Sequence, residues 1–508
     1  MKTFKTFIPV KAAALCAVAI LLVTSSCKKD NDYDNGGDGQ FVIAPSVSVY
    51  ALQQDNKIIT FNAQSGLIIN PLVSITGMQT GESMLSIDMR PATGQLYGVS
   101  SGSRIYVINP VTGVARAVNS TPFTPAIDGS AIGIDFNPTV DRIRLVSANG
   151  QNLRLNPENG TVAATDAPLN GATGVKISSA AYTENKAGAA TTILYDIDGV
   201  TKKLYKQDPP NDGKLVEVGS LGIESTEAAD FDISPDGKAA LAPITVGGQQ
   251  GLYVIDLSSG KAYKALTFPA KVLSLAIQTD PVAYAVSANN ELLIFNPANP
   301  TPVAKAITGL QASETIQGID FRPLNGQLYA LGSSSRVYTL NTSSGAATLV
   351  STLSTPLAGT AFGFDFNPAA DRLRIVSNTG QNLRFNPNDL SVTVDGALTP
   401  ANQAISGAAY TNNFAGASTT VLYDINAQTG KLYKQDAPND GTLIEVGSLG
   451  VTIDAANGFD IGAGDKGYAI LTVGGTTKFY GINLQTGSVT AGSTFAQGVR
   501  GFALGLGF

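Results

Sequence analysis

The sequence predicts an all-β protein, and three observations support that prediction. The 508 residues include 54 glycines and 25 prolines, a content that indicates many tight turns rather than long helices. Beyond the N-terminal segment, no stretch keeps a 3.6-residue apolar period over a dozen positions. Runs of four to six β-favouring residues instead alternate with Gly, Asn, Asp and Ser, which is typical of short strands joined by hairpins.

The composition excludes several functional classes. The chain has no histidine, no tryptophan and two cysteines, so Ser-His-Asp and Cys-His catalytic sets, His-ligated zinc and His-ligated haem are ruled out. Charged residues make up 14% of the chain and the net charge is −6. An acidic balance without a basic run argues against nucleic-acid binding.

The N-terminus has the features of a bacterial lipoprotein signal. Lys2, Lys5 and Lys11 precede an apolar run over residues 12–23, which is too short to span a bilayer and suits a signal-peptide core. Small residues then lead to Cys27. We expect residues 1–26 to be cleaved and Cys27 to carry the lipid, which makes outer-membrane lipid a partner. An ordinary secretory signal with an incidental cysteine is the alternative.

A flexible polar tether is predicted over residues 27–41, because this stretch is rich in Asp, Asn and Gly and nearly free of apolar residues. Its acidic character resembles the export signal of surface-exposed lipoproteins in Bacteroidetes-type bacteria. We therefore expect an outer-membrane lipoprotein exposed at the cell surface, with a periplasm-facing location as the alternative. With Cys16 in the signal and Cys27 lipidated, the mature chain would have no disulfide.

The rest of the chain consists of two tandem copies of one module. Three motifs recur about 230 residues apart. They are residues 133–138 and 363–368, residues 151–154 and 381–384, and residues 203–208 and 431–436. The first module is assigned to residues 42–277 and the second to residues 278–508.

Each module is built from five shorter units of about 46 residues. One unit, at residues 319–350, alternates four β-favouring runs with turns rich in Gly, Asn and Ser. Four strands per unit, repeated in this way, predict a β-propeller with about ten four-stranded blades.

The sequence leaves two ways to close the ring. Each module opens on the second strand of a blade, and Val272–Ile277 and residues 501–504 are candidates for the missing first strand. Closure within each module gives two five-bladed propellers, whereas closure only at the chain ends gives one ten-bladed ring. The short junction at residues 277–282 favours the single ring.

Three strings resemble the bacterial family catalogued as domain of unknown function 4394. They are residues 135–154, residues 318–329 and residues 408–413. The two copies of the module cover nearly all of the mature chain. The resemblance implies an extracytoplasmic setting and, because single-copy members exist, a module that folds alone. It therefore favours two five-bladed propellers, and it implies no activity.

One set of candidate site residues consists of aspartates that recur ahead of a turn in three of the five units of each module. They are Asp88, Asp135, Asp232, Asp320, Asp365 and Asp460. Because the first strand of a propeller blade lines the central channel, these carboxylates could converge and hold Ca²⁺ or Mg²⁺. Their near-symmetric repetition favours a structural role instead, in which each aspartate bonds backbone N–H groups or an arginine and fixes a turn.

A second candidate set is polar and lies on one unit of each module. It consists of Arg142, Arg144, Asn152, Arg154, Arg372, Arg374, Asn382 and Arg384. Guanidinium groups on one strand face could bind a carboxylate, sulfate or phosphate bidentately. Alternatively, they pair with acidic residues between blades, which is the use we favour because a buried charge needs a partner.

These features favour a non-catalytic, surface-anchored binding module for an extracellular polysaccharide or protein partner. No catalytic set and no cofactor are identified, and we expect a monomer. One alternative is a divalent-metal-dependent propeller enzyme of the lactonase or lyase type, with Ca²⁺ or Mg²⁺. Another is a structural or adhesion component of the cell surface.

Overall fold

The computed structural model describes residues 41–495 and 497–507, with only the backbone described at residues 455–457. These residues form 41 strands and one 3-10 turn (Pro210–Asp212), with no α-helix in the described ranges. The prediction of an all-β protein is confirmed. Within the same ranges, no helical segment has the length and apolar character needed to cross a membrane.

The first module contains the first 21 strands. They are β1 (Ser48–Gln53), β2 (Lys57–Asn62), β3 (Ile68–Ser74), β4 (Met84–Arg90), β5 (Gln95–Ser100), β6 (Ile105–Ile108), β7 (Ala115–Ala117), β8 (Ile132–Asn137), β9 (Arg142–Ser147), β10 (Asn152–Asn156), β11 (Thr161–Thr165), β12 (Ala180–Tyr182), β13 (Leu194–Asp198), β14 (Lys203–Gln207), β15 (Leu215–Ser220), β16 (Ser225–Ala228), β17 (Asp232–Ile233), β18 (Ala240–Val246), β19 (Gln249–Ile255), β20 (Ala262–Thr267) and β21 (Val272–Ile277).

The second module contains the remaining strands. They are β22 (Ala283–Ser287), β23 (Glu291–Asn296), β24 (Asn299–Ala306), β25 (Ile316–Arg322), β26 (Gln327–Gly332), β27 (Arg336–Leu340), β28 (Ala347–Thr352), β29 (Phe362–Asn367), β30 (Arg372–Ser377), β31 (Asn382–Phe385), β32 (Val392–Val394), β33 (Ile405–Tyr410), β34 (Leu422–Asn426), β35 (Lys431–Asp436), β36 (Thr442–Ser448), β37 (Ala455–Ile461), β38 (Gly467–Val473), β39 (Thr476–Ile482), β40 (Val489–Thr494) and β41 (Val499–Leu504).

The strands form ten antiparallel sheets, five in each module. Nine sheets have four strands, and one has five because both β16 and β17 pair with β18. Most sheets are meanders of consecutive strands, such as β4 to β7 and β25 to β28. Short connections of this kind follow from the Gly- and Asn-rich turns between the strands.

The first sheet of each module is completed by the last strand of the same module. β21 pairs with β1, so that Val49 lies opposite Ile277, and β41 pairs with β22, so that Ala283 lies opposite Leu504. These are the late strands that the sequence offers for the vacant positions. The pairing leaves neither first sheet with an open inner edge.

The innermost strands of each module contact one another in a closed cycle. In the first module the cycle runs through β21, β4, β8, β12 and β17. In the second it runs through β41, β25, β29, β33 and β37. Apolar side chains fill the space between neighbouring sheets. For example, the rings of Tyr97 and Phe136 pack edge to face with centroids 5.3 Å apart, as do those of Tyr329 and Phe366 at 5.0 Å.

The outer hairpins show how the sequence encodes the turns. The Asn109 side-chain oxygen accepts hydrogen bonds from the backbone N–H groups of Val111 and Thr112. Gly113 then takes a positive φ of 76°, a conformation that glycine adopts without steric cost. Asn341 caps the corresponding turn of the second module in the same way.

The two modules contact each other directly, and the described residues belong to one compact unit. The Tyr284 hydroxyl donates to the carbonyl oxygen of Ala92 at 2.9 Å. The Gly507 N–H donates to the carbonyl oxygen of Thr93, also at 2.9 Å. The turn after β4 therefore lies against both the first sheet and the C-terminal segment of the second module.

Candidate functional site

The structure brings the six recurrent aspartates together as two triads. Asp88, Asp135 and Asp232 form one triad, and in each triad one carboxylate oxygen from every member lies within 4.8 Å of the others. The second triad consists of Asp320, Asp365 and Asp460. All six residues are at most 2% exposed, so both triads lie inside the protein, on the innermost strands.

Each aspartate of the first triad joins two neighbouring inner strands. Asp88 on β4 accepts a hydrogen bond from the Phe136 N–H of β8 at 2.7 Å. Asp135 in turn accepts one from the Tyr182 N–H of β12 at 3.1 Å, and Asp232 accepts one from the Ile277 N–H of β21 at 2.5 Å. The second triad repeats the pattern through Phe366, Tyr410 and Leu504. These bonds link one sheet to the next around each cycle.

The register explains why there are three carboxylates and not five. The N–H donors Phe136, Tyr182 and Ile277 occupy equivalent places on successive inner strands. The residue before each donor is therefore the aspartate position, and in two of the five strands that position is Ala181 or Ala276. Ala409 and Ala503 take the same places in the second module.

Burial raises the pKa of all six carboxyl groups, because it disfavours the charged form. The pKa of Asp232 rises to about 7, and the pKa of Asp460 also rises to about 7. The pKa values of Asp88, Asp135, Asp320 and Asp365 are raised as well, first by burial and then by the neighbouring carboxylates. Backbone N–H donors oppose these shifts.

The triads have the donor chemistry of a divalent-cation site. Carboxylate oxygens are the ligands that Ca²⁺ and Mg²⁺ prefer, and Asp135 Oδ2 and Asp320 Oδ1 have no hydrogen-bond partner among the described residues. The buried Asn185 amide lies 3.5 Å from Asp232 Oδ1. A cation bound here would neutralise the negative charge of the buried carboxylates, which protonation neutralises otherwise.

The two modules differ in the layer next to the triads. In the first module, Asp230 accepts hydrogen bonds from the hydroxyls of Ser86 (3.2 Å) and Ser274. Burial raises the Asp230 pKa well above its ordinary value. The equivalent positions of the second module are Gly458, Gly318 and Gly501. Side chains that fill this layer in one module are thus absent from the other.

Glycine occupies this layer on all five inner strands of the second module. The residues are Gly318, Gly363, Gly407, Gly458 and Gly501, where the first module has Ser86, Gly133, Ser179, Asp230 and Ser274. A Cβ at Gly318 would lie 2.7 Å from the Phe364 Cβ, and one at Gly363 would lie 2.5 Å from the Ala408 Cβ. The glycines therefore let neighbouring inner strands approach closely.

A cavity of about 210 Å³ opens at this glycine layer, and we call it the axial pocket. Residues from all five inner strands of the second module, or from the segments leading into them, line it. Its polar side chains include those of Gln317, Thr360, Ser406 and Arg500. Gln317 and Arg500 stand where the first module has Leu85 and Leu273.

The arginine sets lie in networks of intramolecular bonds. Arg144, only 1% exposed, donates to Asp166 Oδ2 at 2.6 Å, to Asn152 Oδ1 at 2.7 Å and to Asn211 Oδ1 at 2.8 Å. Arg154 binds both oxygens of Asp166. Arg374, Asn382 and Arg384 repeat this arrangement around Asp395 and Asn439.

Arg142 and Arg372 do not join these networks. Arg142 donates to the backbone carbonyl oxygen of Asp141 at 2.7 Å, and Arg372 donates to that of Asp371 at 2.9 Å. The carboxylate of Asp141 instead binds Arg90, and that of Asp371 binds Arg322. Arg144 and Arg154 thus pair with Asp166, whereas the acid next to Arg142, Asp141, pairs with Arg90 of another sheet.

Sequence reasoning missed several buried acids, among them Asp230 and one pair of equivalent residues. Asp196 and its counterpart Asp424 are fully buried, and neither carboxylate has a hydrogen-bond partner among the described residues. Burial raises the pKa of each to about 8, although Arg144 and Arg374 lower it. The repeated Leu-Tyr-Asp-Ile segment is the sequence signal that could have identified them. The predicted lipid attachment at Cys27 lies outside the described residues.

Comparison with solved structures gives distant neighbours. One is the extracellular domain of the putative hybrid two-component system BT4673 from B. thetaiotaomicron, with 10% identity and a TM-score of 0.27 over 91% of this chain and 73% of that chain. Another is PorZ of Porphyromonas gingivalis, described as an essential bacterial surface component of the type-IX secretion system. It has 12% identity and a TM-score of 0.27, over 90% of this chain and 60% of that chain. No curated protein matches the chain.

A family model matches the chain twice, over residues 49–276 and residues 291–503. These two regions correspond to the two modules and together cover most of the chain. The resemblance noted in the sequence is confirmed. The chain belongs to the family described as domain of unknown function (DUF4394), in two tandem copies.

Proposed function

We propose that each cycle of five sheets is a five-bladed β-propeller, and that the chain is a non-catalytic binding module anchored at the cell surface through Cys27. The axial pocket of the second propeller is its ligand site, and the ligand is part of an extracellular polysaccharide. The observation that carries this proposal is the loss of symmetry between the two copies at the glycine layer.

Duplication supports this use of the second module. Both modules keep the aspartates that link neighbouring inner strands, so these contacts serve the fold common to both copies. Only the second module combines five axial glycines with Gln317 and Arg500 at the mouth of the ring. A concave site with a few convergent polar groups is the usual form of a small-ligand pocket.

Binding explains the polar groups better than catalysis does. The guanidinium groups of Arg144 and Arg374 are occupied by acceptors within the protein, and the triad carboxylates are buried and bonded to backbone N–H groups. A catalytic base or nucleophile must reach its substrate within hydrogen-bond distance. In contrast, the backbone and side chains of the axial pocket face open space.

A divalent-metal-dependent propeller enzyme is the second candidate, and the convergence of the triads favours it. Burial of all six carboxylates weighs against it, because a catalytic metal needs an open coordination position for substrate. Metal analysis of the purified protein and thermal unfolding with and without EDTA separate the two proposals. A bound metal whose removal abolishes hydrolysis of a lactone or polyuronate would establish the enzyme.

The binding proposal is tested by adding a side chain at the glycine layer, at the position where the least displacement is required. A Cβ at Gly407 would lie 3.0 Å from the Phe459 Cβ, the mildest of the predicted close contacts. Serine is the residue of the first module at that position, Ser179. Gly407→Ser should therefore fold and lose binding, while Ser179→Gly in the other module should bind as the wild type does.

The measurement is the thermal midpoint of the full mature chain with a panel of neutral and acidic polysaccharides, because a ligand of the native state raises the midpoint. We expect at least one polysaccharide to raise the midpoint of the wild type and not that of Gly407→Ser. No shift with any member, or an equal shift in both proteins, would overturn the proposal.

A further inference from the structure

We propose that the axial pocket of the second propeller recognises an oxyanion, a carboxylate or sulfate carried by a single sugar residue, through Arg500 and Ser406. This inference rests on the proposed function and names the chemistry of its ligand. It follows from two polar groups that the fold leaves without partners in the same cavity.

The first group is the Arg500 guanidinium. Arg500 is half-buried on β41 and lines the cavity. Its Nη1 is buried and has no hydrogen-bond partner among the described residues. A guanidinium nitrogen that is removed from water without an acceptor costs free energy. An anion supplies the missing acceptor, and a hydrogen bond between two charged groups is the strongest kind.

The second group is the Ser406 hydroxyl on β33. Ser406 is 6% exposed and lines the same cavity, and its Oγ also has no hydrogen-bond partner within the described ranges. The equivalent residue of the first module, Ser178, donates to the Ala228 carbonyl oxygen at 3.3 Å. Of these two equivalent serines, only Ser406, which lines the axial pocket, has a hydroxyl without a hydrogen-bond partner among the described residues.

The electrostatics of the neighbouring triad are compatible with an anion. Asp320, Asp365 and Asp460 lie two residues beyond the glycine layer on their strands, and charged carboxylates there would repel an anion. Burial raises the pKa of all three, that of Asp460 to about 7. The raised pKa values reduce the negative charge of the triad next to the pocket, and Arg500 adds a positive charge to the pocket lining.

The size of the cavity sets the size of the ligand. The cavity volume of about 210 Å³ is many times the roughly 10–15 Å³ that one water requires on the same measure, and we expect it to admit one sugar ring. The aromatic residues Phe362, Phe459 and Phe502 contribute apolar surface to the wall. Thr360 and Gln317 offer further hydrogen-bonding groups, which suits the hydroxyls of a sugar.

The test is calorimetric titration of the full mature chain with D-glucuronate, D-glucose 6-sulfate and neutral D-glucose. We expect the two anionic sugars to bind at least tenfold more tightly than glucose. Arg500→Gln should weaken glucuronate binding about 10- to 100-fold, the range for loss of a hydrogen bond to a charged group. Ser406→Ala should weaken it less, because its donor is neutral.

The control is Lys305→Gln, which removes a cation of the same module outside the pocket and should leave binding unchanged. Thermal midpoints verify that every variant is folded, and Arg500→Lys should restore part of the affinity by restoring the charge. The two sugars distinguish the source of the anion, a uronic acid or a sulfated sugar.

The outcomes separate the two proposals. Equal binding of glucose and glucuronate that Gly407→Ser abolishes but Arg500→Gln does not would overturn oxyanion recognition and leave the binding pocket standing. Absence of binding by every sugar and by the polysaccharide panel would overturn both. Glucuronate binding that survives Gly407→Ser unchanged would place the anion elsewhere and overturn this inference.

Discussion

Arg90 and Asp141 form a buried, bidentate ion pair at the contact between the two modules. The Arg90 Nε donates to Asp141 Oδ1 at 2.9 Å, and its Nη2 donates to Asp141 Oδ2 at 2.5 Å. The two side chains are 0% and 5% exposed. The Nη1 of Arg90 also donates to the carbonyl oxygen of Gly326 at 3.1 Å, 236 residues along the chain. One guanidinium therefore joins two sheets of the first module and one turn of the second.

Replacement of Arg90 should destabilise the protein more than replacement of its counterpart, Arg322. Arg90→Met leaves Asp141 buried without its cation, a change that costs about 3–5 kcal/mol of unfolding free energy. Arg322 pairs with Asp371, whose side chain is 24% exposed, so water can replace the lost partner. Urea denaturation of Arg90→Met and Arg322→Met measures the difference, and equal losses would contradict the role assigned to burial.

The aspartate triads should make the protein less stable as the pH rises. The folded-state pKa values of Asp232 and Asp460 are about 7, above the ordinary value of 3.8, so the folded state binds more protons than the unfolded state between these values. The unfolding free energy therefore falls with increasing pH through this window. We expect the decline between pH 4 and pH 8 in the presence of EDTA. A stability that rises over that range would refute the assignment.

Two substitutions of Asp135 separate the effect of its charge on stability from the effect of its hydrogen bond. Asp135→Asn keeps the oxygen that accepts from the Tyr182 N–H and removes one buried acid. At pH 8 we expect it to exceed the wild type in stability by about 1 kcal/mol or more, since one pKa unit corresponds to roughly 1.4 kcal/mol. Asp135→Ala loses the bond and should cost about 1–3 kcal/mol at pH 5. Chemical denaturation at both pH values gives the comparison.

Arg144 and Arg142 lie two residues apart on one strand and should respond differently to the same substitution. Arg144→Met leaves the buried Asn152 Oδ1 without this donor and leaves Asp166 with Arg154 as its remaining arginine partner, and we expect a loss of about 1–3 kcal/mol. Arg142 is partly exposed and its one hydrogen bond within the described residues goes to the backbone oxygen of Asp141, so Arg142→Met should change stability by less than about 0.5 kcal/mol. A large loss in both variants, measured by urea denaturation, would contradict the structural assignment.

The sequence locates the aspartates because their spacing repeats, and residues that repeat along the chain occupy equivalent positions on the closed cycle of inner strands. It does not identify their partners. The pairing of Arg90 with Asp141 or of Arg144 with Asn211 depends on how one sheet is placed against the next, and no local pattern in the chain sets that placement.

The axial pocket shows a different limit of sequence analysis. Glycine in this chain indicates turns, yet Gly318, Gly407 and Gly501 lie within strands and allow the inner strands to converge. Only alignment of the inner strands through their N–H donors shows that five glycines share one layer. The all-β class and the twofold repeat follow directly from the sequence, whereas the cavity requires three-dimensional register.

Each module should fold without the other if its last strand completes its first sheet. A fragment of residues 41–281 contains β1 and its partner β21, whose pairing places Tyr50 opposite Ala276. We expect this fragment to unfold cooperatively in urea and to be monomeric. A fragment of residues 41–270 lacks β21, leaves the inner edge of β1 unpaired and should aggregate or remain unfolded. Circular dichroism and size-exclusion chromatography compare the two. Cooperative folding of the shorter fragment, or failure of the longer one, would show that closure within the module does not determine its stability.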